Sequence, residues 1–125
     1  MFESATALPT IAVSDIDRAK KFYGEILGFK ITEDLTSGVR FETGSGSSFF
    51  VYPSQFAGSN KATYMGFEVQ DLDAAVKELR DRGIVFEEYD FPGLKTVDGI
   101  AEMEGERGAW FKDPEGNILS VAART

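Results

Sequence analysis

The chain has 125 residues, of which 42% are hydrophobic, so it suits one compact domain and is too short for two conventional ones. Its 21 acidic and 13 basic residues give a formal net charge of −8, which disfavours nucleic acids and anionic membrane surfaces as partners because both repel an acidic protein. Cysteine and histidine are both absent, which excludes disulfides, a thiolate nucleophile, and the commonest transition-metal ligand and general base.

No segment of the sequence has the character of a targeting signal or a membrane span. The first residues, Met-Phe-Glu-Ser-Ala-Thr, lack a basic region followed by an apolar one, and no apolar run approaches the length of a membrane span. We therefore expect a cytoplasmic protein without a membrane partner.

The first half of the chain predicts a strand, a helix and three further strands. Residues 8–13 (LPTIAV) read as a short strand, and Ser14-Asp15 supplies the N-cap of a helix. Apolar residues recur at helical spacing from Ile16 to Leu27, and Gly28 stands at the C-cap position. The remaining strands are predicted at 29–31 (FKI), 39–43 (VRFET) and 48–52 (SFFVY), with a Gly-Ser turn between the last two.

The second half repeats this order. A strand is predicted at 64–69 (YMGFEV), Asp71 is placed to cap a second helix, and Gly83 ends it. The strands that follow are predicted at 84–86 (IVF), 108–112 (GAWFK) and 118–122 (ILSVA), and the last two flank the turn sequence DPEGN at 113–117.

The two halves also resemble each other residue by residue. AVSDIDRAKKFY at 12–23 aligns with EVQDLDAAVKEL at 68–79, which indicates duplication of one βαβββ unit. The alternative is that two amphipathic helices with aspartate caps are alike by chance. We predict a single domain over 1–125, with a first unit at about 1–53, a linker at about 54–61 and a second unit at about 62–125.

The segment 89–107 lacks a clear periodicity and is long for a connection in so small a domain. Such a connection is often a lid or a rim over a binding site. It carries the acidic residues Asp98, Glu102, Glu104 and Glu106. These charges favour a cationic or neutral ligand over an anionic one, unless they are ordinary solvated loop charges.

Two motifs in the chain resemble those of the vicinal oxygen chelate superfamily, the glyoxalase, bleomycin resistance and dioxygenase type. VSDIDRAKKFYGEILGF at 13–29 looks like its first-half motif, and WFKDPEGNILSV at 110–121 resembles its closing hairpin, of which DPEGN is the most specific part. The resemblance implies an α+β fold in which two βαβββ units form a curved-sheet cup, completed in a homodimer. The superfamily includes glyoxalases, ring-cleaving dioxygenases, epimerases, thiol transferases and antibiotic-binding proteins, so the fold leaves the function open.

The metal-binding members of that superfamily hold the ion with His or Glu at four strand positions. The motifs carry these positions over to Leu8, Tyr64 and Ser120, and to Phe50, or Tyr52 if the hairpin is shifted. These side chains cannot form a divalent His/Glu site, so we predict no metal and no cofactor. Glu68 is the leading candidate for a carboxylate ligand at a position outside these four. One carboxylate without other ligands is a poor metal site.

The apolar and hydroxyl side chains at the four ligand positions predict an apolar cup with hydroxyl groups. Strand alternation puts one set of residues on the cup face: Leu8, Thr10, Phe50, Tyr52, Tyr64, Gly66, Glu68 and Ser120. Four further aromatic residues are candidate stacking faces for a planar ligand: Phe41, Phe91, Trp110 and Phe111. The alternative is that these four belong to the core.

The leading functional prediction is metal-independent binding or sequestration of a hydrophobic or aromatic small molecule, similar to bleomycin-type resistance proteins. The first alternative is a metal-free lyase, cyclase or isomerase in which Glu68 or a rim carboxylate is the base and Tyr52 or Tyr64 a hydrogen-bond donor. That alternative requires Glu68 to be buried beside aromatic side chains, which raises the pKa of a glutamate. A second alternative is a structural or protein-interaction role, with the cup filled by its own side chains.

Overall fold

The computed structural model describes all 125 residues. The chain divides into two compact units, module 1 (Met1–Ser59) and module 2 (Asn60–Thr125), and the boundary lies within the predicted linker. Each module combines one sheet with one helical region, so the predicted α+β class is confirmed.

Module 1 has the predicted order of one strand, one helix and three strands. After a 3₁₀ turn at Phe2–Ser4, its elements are β1 (Thr10–Val13), α1 (Ile16–Ala19) continued by a π-helix (Lys20–Ile26), β2 (Lys30–Leu35), β3 (Gly38–Glu42) and β4 (Ser48–Pro53). The sheet order is β1-β4-β3-β2, with β1 parallel to β4 and the other pairs antiparallel. Asp15 caps α1 as predicted, because its side chain accepts a hydrogen bond of 3.0 Å from the Arg18 N–H.

The core of module 1 lies between the helix and one face of the sheet. Ile11, Val51 and Val39 are fully buried and lie side by side across three strands. Next to them the ring of Phe49 stacks on that of Phe41, and Tyr23 of the π-helix lies within 5.7 Å of both ring centroids. These contacts identify the face of the sheet that the helix covers.

Module 2 begins in the same way but has a larger sheet. Its elements are β5 (Thr63–Glu68), α2 (Leu72–Asp81), β6 (Asp90–Phe91), β7 (Leu94–Val97), β8 (Ile100–Met103), β9 (Glu106–Lys112) and β10 (Ile118–Arg124). The sheet order is β5-β10-β9-β8-β7-β6, with β5 parallel to β10. Asp71 caps α2 by accepting a hydrogen bond of 3.0 Å from the Ala74 N–H.

Two predictions for module 2 are wrong. Residues 84–86 form no strand, because only Phe86 pairs with the sheet, through a single bridge to Phe111. The segment 89–107 is no irregular loop, since β6, β7 and β8 form a meander there and β9 begins at Glu106. Its hairpin turns have only two residues; in one of them Asp98 and Gly99 have φ of 54° and 81°, as the turns favoured in hairpins require.

The DPEGN turn closes the β9–β10 hairpin through a buried aspartate. The Asp113 carboxylate accepts hydrogen bonds from the backbone N–H groups of Glu115 and Asn117 and from the Asn117 side-chain amide, at 2.8 to 3.0 Å. Both Asp113 and Asn117 are buried, and the turn itself supplies the hydrogen bonds that the Asp113 carboxylate accepts. Neither helical region of the chain combines the length and the apolar character needed to cross a bilayer.

Candidate functional site

Each module has a sheet face turned away from its helix, which we call its distal face. In module 1 the helix covers Phe41 and Phe49, so alternation along the strands puts their neighbours Arg40 and Phe50 on the distal face. Strand pairing then aligns one residue from each strand in a row: Thr10, Phe50, Arg40 and Glu33. Tyr52 follows Phe50 on the same face and is partly exposed.

A glycine provides the space in which the Phe50 side chain lies. A Cβ atom placed on Gly38 would lie 2.5 Å from Phe50 Cζ and 2.6 Å from the Val51 carbonyl oxygen. The Phe50 ring therefore covers the backbone of β3 at Gly38. This contact presents one partly exposed aromatic side chain on the distal face beside Arg40.

The structure places Phe41 in the core of module 1. Its side chain is 0% exposed, between Tyr23 and Phe49. The Phe41 ring is therefore not available to stack on a ligand. The alternative prediction, that Phe41 belongs to the core, is correct. Leu8 lies two residues before the start of β1 at Thr10 and is 37% exposed.

In module 2 an ion pair identifies the face that α2 covers. Arg107 on β9 reaches Asp73 on α2 with two N–H···O contacts of 3.0 and 3.1 Å. Successive side chains of β9 point to opposite faces of the sheet. Trp110 therefore points away from the side of Arg107 and lies on the distal face. Ser120 pairs with both Trp110 and Gly66, so three neighbouring strands contribute to this part of the distal face.

A cluster of three aromatic side chains lies around Trp110. The ring of Tyr89 is 5.8 Å from Trp110 and 5.5 Å from Phe91, centroid to centroid, and Phe91 is 54% exposed. Burial, and second the nearby Glu87 carboxylate, raise the pKa of Tyr89. We call Tyr89, Phe91 and Trp110 the aromatic cluster.

Sequence reasoning selected Phe91 and Trp110 but missed Tyr89, which links them. The available signal was the spacing Tyr89-Asp90-Phe91, which puts two aromatic side chains on one side of an extended segment. Phe111, by contrast, is 1% exposed and packs edge-to-face on Phe86, so the structure places it in the core of module 2.

The carboxylate of Glu68 is not in a buried setting. Its side chain is 81% exposed and lies 3.9 Å from Arg124. The burial beside aromatic residues that the enzyme alternative requires is therefore absent.

Tyr64 is two residues before Gly66 on β5 and is partly exposed.

The donor set does not fit a divalent metal. The four positions that the superfamily motif assigns to ligands carry Leu8, Phe50, Tyr64 and Ser120, whose side chains offer hydrocarbon and hydroxyl groups. No group of three or more Asp, Glu, His or Cys side chains in the chain is arranged to hold a metal ion. We therefore derive no chemistry through a metal.

Two of the four acidic residues of segment 89–107 are engaged by arginines. Arg107 Nε donates to the Glu102 carboxylate at 3.0 Å, and an Arg80 nitrogen lies 3.4 Å from the Asp98 carboxylate. These pairs reduce the negative field on which the expected preference for cationic ligands depended.

Comparison with known families and structures identifies relatives of the whole chain. A family model described as the Glyoxalase/Bleomycin resistance protein/Dioxygenase superfamily matches residues 6–121. No curated protein matches the chain.

Solved structures show the same fold at low sequence identity. A glyoxalase family protein from Enterococcus faecalis has a TM-score of 0.73 at 22% identity, covering 98% of this chain and 99% of its own. The fosfomycin resistance protein FosX from Listeria monocytogenes has a TM-score of 0.69 at 17% identity, covering 98% and 94%. TnmS3, an antibiotic binding protein from Streptomyces sp. CB03234, has a TM-score of 0.65 at 22% identity, covering 98% of each chain.

Proposed function

Since the chain belongs to the glyoxalase/bleomycin resistance protein/dioxygenase superfamily, and its side chains do not fit the metal of that superfamily's enzymes, we propose that it binds a hydrophobic or aromatic small molecule without a metal. Binding itself is the function in this proposal, and no bond is broken. An aromatic ligand contacts the distal face of a sheet, where aromatic side chains are partly exposed.

The observation that carries the proposal is the aromatic cluster. The Tyr89 ring lies 5.5 Å from that of Phe91 and 5.8 Å from that of Trp110, centroid to centroid, so no further ring fits between Tyr89 and either neighbour. A flat ligand therefore covers the exposed surface of the cluster, of which Phe91 provides the most accessible ring. Partly exposed aromatic surface with a few polar groups is the usual chemistry of sites for hydrophobic ligands.

Two structural relatives are consistent with this proposal. TnmS3 is described as an antibiotic binding protein and FosX as a fosfomycin resistance protein. The fold therefore occurs in proteins whose names refer to antibiotics. Because fold alone does not determine function, the residues of the aromatic cluster carry more weight than these relatives. The enzyme alternative has no comparable support, since Glu68 is largely exposed.

The single tryptophan makes the proposal directly measurable. Trp110 is the only tryptophan in the chain, so fluorescence excited at wavelengths that tyrosine does not absorb reports on the aromatic cluster alone. Titration of the metal-stripped protein with planar aromatic compounds is expected to change this fluorescence saturably. Phe91→Leu keeps apolar volume but removes the ring, and we expect it to weaken binding about two- to twelvefold, the equivalent of the roughly 0.5–1.5 kcal/mol typical of aromatic pairs.

The matched control is Val85→Ala, which shortens an apolar side chain of module 2 that is 80% exposed. It should leave the affinity unchanged. Equal affinity in Phe91→Leu and the wild type would show that the cluster is not the binding surface. A saturable rise in melting temperature with Zn²⁺, Mn²⁺ or Mg²⁺ would contradict the metal-independent proposal.

A further inference from the structure

Arg40 presents its guanidinium group on the distal face of module 1 without a hydrogen bond to the protein. Its one ionic contact is with the Glu33 carboxylate at 3.9 Å, which is beyond hydrogen-bond length. The side chain is 36% exposed, so it is neither free in solvent nor enclosed in the core. Five N–H donors are thus held on this face.

Three other arginines of the chain use their donors on protein groups, whereas Arg124, like Arg40, has only a carboxylate at 3.9 Å but is 83% exposed. Arg107 binds Asp73 through two nitrogens and Glu102 through a third, at 3.0 to 3.1 Å. Arg80 donates to the Asp98 carbonyl at 2.7 Å, and Arg82 to Glu78 at 2.8 Å. These contacts connect or support secondary structure, whereas the side-chain donors of Arg40 support none.

Arg40 is held at a defined place beside an aromatic ring. It lies in the middle of β3, hydrogen-bonded strands flank it on both sides, and it pairs directly with Phe50 on β4. The Phe50 ring covers Gly38, two residues before Arg40 on the same face. Arg40 and Phe50 therefore project from directly paired positions on one face of the sheet, with Thr10 in the same row.

We propose that Arg40 and Phe50 form a subsite for an aromatic ligand that carries an oxyanion, such as a carboxylate or a sulfonate. The guanidinium donates hydrogen bonds to the oxyanion, a geometry that arginine satisfies with two parallel bonds, and the ring contacts the aromatic part. This inference rests on the proposed function and adds the charge class of the ligand.

Glu33 is the competitor in this subsite. With a net charge of −8, the protein repels anions at long range, so selection of an anionic ligand depends on a local cation. The Glu33 carboxylate, 3.9 Å from Arg40, offsets part of that positive charge. Removing the Glu33 charge should therefore strengthen oxyanion binding, an effect that a purely structural ion pair does not predict.

The test uses two fluorescent probes with the same rings. 8-Anilinonaphthalene-1-sulfonate carries a sulfonate, whereas N-phenyl-1-naphthylamine has the same ring system without it. We expect the wild-type protein to bind both saturably and to prefer the sulfonate. We expect Arg40→Gln to weaken sulfonate binding about tenfold, equivalent to about 1.4 kcal/mol, and to leave the neutral probe within twofold.

Three further variants sharpen the result. Glu33→Gln should tighten sulfonate binding a few-fold. Arg40→Lys should recover only part of the loss, because lysine lacks the planar donor fork. Arg82→Gln, which removes the same charge from the end of α2, is the control for long-range electrostatics and should change neither probe by more than twofold.

The outcomes separate this inference from the proposed function. Saturable binding of both probes with the Arg40→Gln affinities equal to wild type, or with both probes weakened alike, would overturn the subsite and leave aromatic binding intact. Absence of saturable binding of either probe to the wild type would count against both. If Arg40→Gln lowers the melting temperature strongly, the Glu33→Gln measurement decides, since unchanged sulfonate affinity there would overturn the inference.

Discussion

Gly38 shows how one residue shapes the distal face of module 1. Its φ of 154° is a backbone conformation that residues with a side chain rarely adopt. The Phe50 ring and the Val51 carbonyl oxygen already occupy the space that a Cβ atom on this residue would need. The position of Phe50 therefore depends on the absence of a side chain at Gly38.

Gly38→Ala is expected to lower the free energy of unfolding by about 1–3 kcal/mol, the usual cost of inserting atoms into a packed site. The ring of Phe50 can move, but the Val51 carbonyl belongs to the β4 backbone, so Phe50→Ala should not rescue the variant fully. Urea unfolding monitored by circular dichroism measures both. Gly44→Ala is the control, because a Cβ atom there would have no neighbour within 4 Å; an equal loss in the two glycine variants would contradict this account.

At the scale of elements, one arginine connects three of them in module 2. Arg107 on β9 binds Asp73 on α2 and Glu102 on β8. Hydrogen bonding to Arg107, and second its charge, lower the pKa of Asp73. In the meander, hydrogen bonds from Thr96 and then from the Gly99 backbone lower the pKa of Glu88.

These two carboxylates predict a loss of stability in acid. Because each pKa is lower in the folded state than its ordinary value of 3.8 or 4.5, the unfolded chain binds more protons at low pH. The stability they contribute is present above the ordinary values and is lost as the pH falls through the lowered ones. Urea unfolding between pH 6 and pH 3 should show this decline, and it should be smaller in Asp73→Asn.

The control for this prediction is a double-mutant cycle. In an Arg107→Gln background, Asp73 has lost its partner, so Asp73→Asn should have little further effect on the decline. An equal effect of Asp73→Asn in both backgrounds would show that the ion pair does not cause the pH dependence.

At the scale of the whole molecule, both sheets have open edges. β1 and β2 end the sheet of module 1, and β5 and β6 end that of module 2. All six residues of β2 are exposed. Open edges are usually covered, shortened or protected by charges, and β2 carries Lys30, Glu33 and Asp34.

We expect a homodimer in solution, as the family resemblance implies. Size-exclusion chromatography with light scattering at micromolar concentration should give twice the chain mass of 13.7 kDa. A mass equal to one chain over the whole concentration range would contradict this expectation. The measurement should be repeated with a bound aromatic probe, since a ligand that prefers the dimer raises its population.

Local patterns in the sequence were sufficient for most elements. The aspartate caps, the apolar spacing of both helices and the DPEGN turn depend on neighbours within a few residues, and each is present in the structure. The duplication and the superfamily motifs were sufficient to predict the fold class as well. The short strands β6 to β8 were missed because strands of two to four residues carry too little alternation to be recognised.

The candidate site was only partly predictable. Alternation correctly paired residues within a strand, but it does not say which side of the sheet the helix covers. That side is decided by long-range packing, and it separates Phe41 and Phe111, which are buried, from Phe50 and Trp110, which are not. The place of Tyr89 beside Trp110 likewise depends on segments brought together by the sheet of module 2, and the pairing of Arg40 with Phe50 depends on the register of the β3–β4 hairpin.

The sequence by itself thus determined the α+β class and the duplicated order of elements, because these follow from residue type and from short-range spacing. Only the tertiary structure decided which aromatic side chains remain accessible and that the half-buried Arg40 makes no hydrogen bond to the protein. Accessibility and pairing are properties of the packed molecule, in which a helix covers one face of a sheet and strand register selects the neighbours of each side chain.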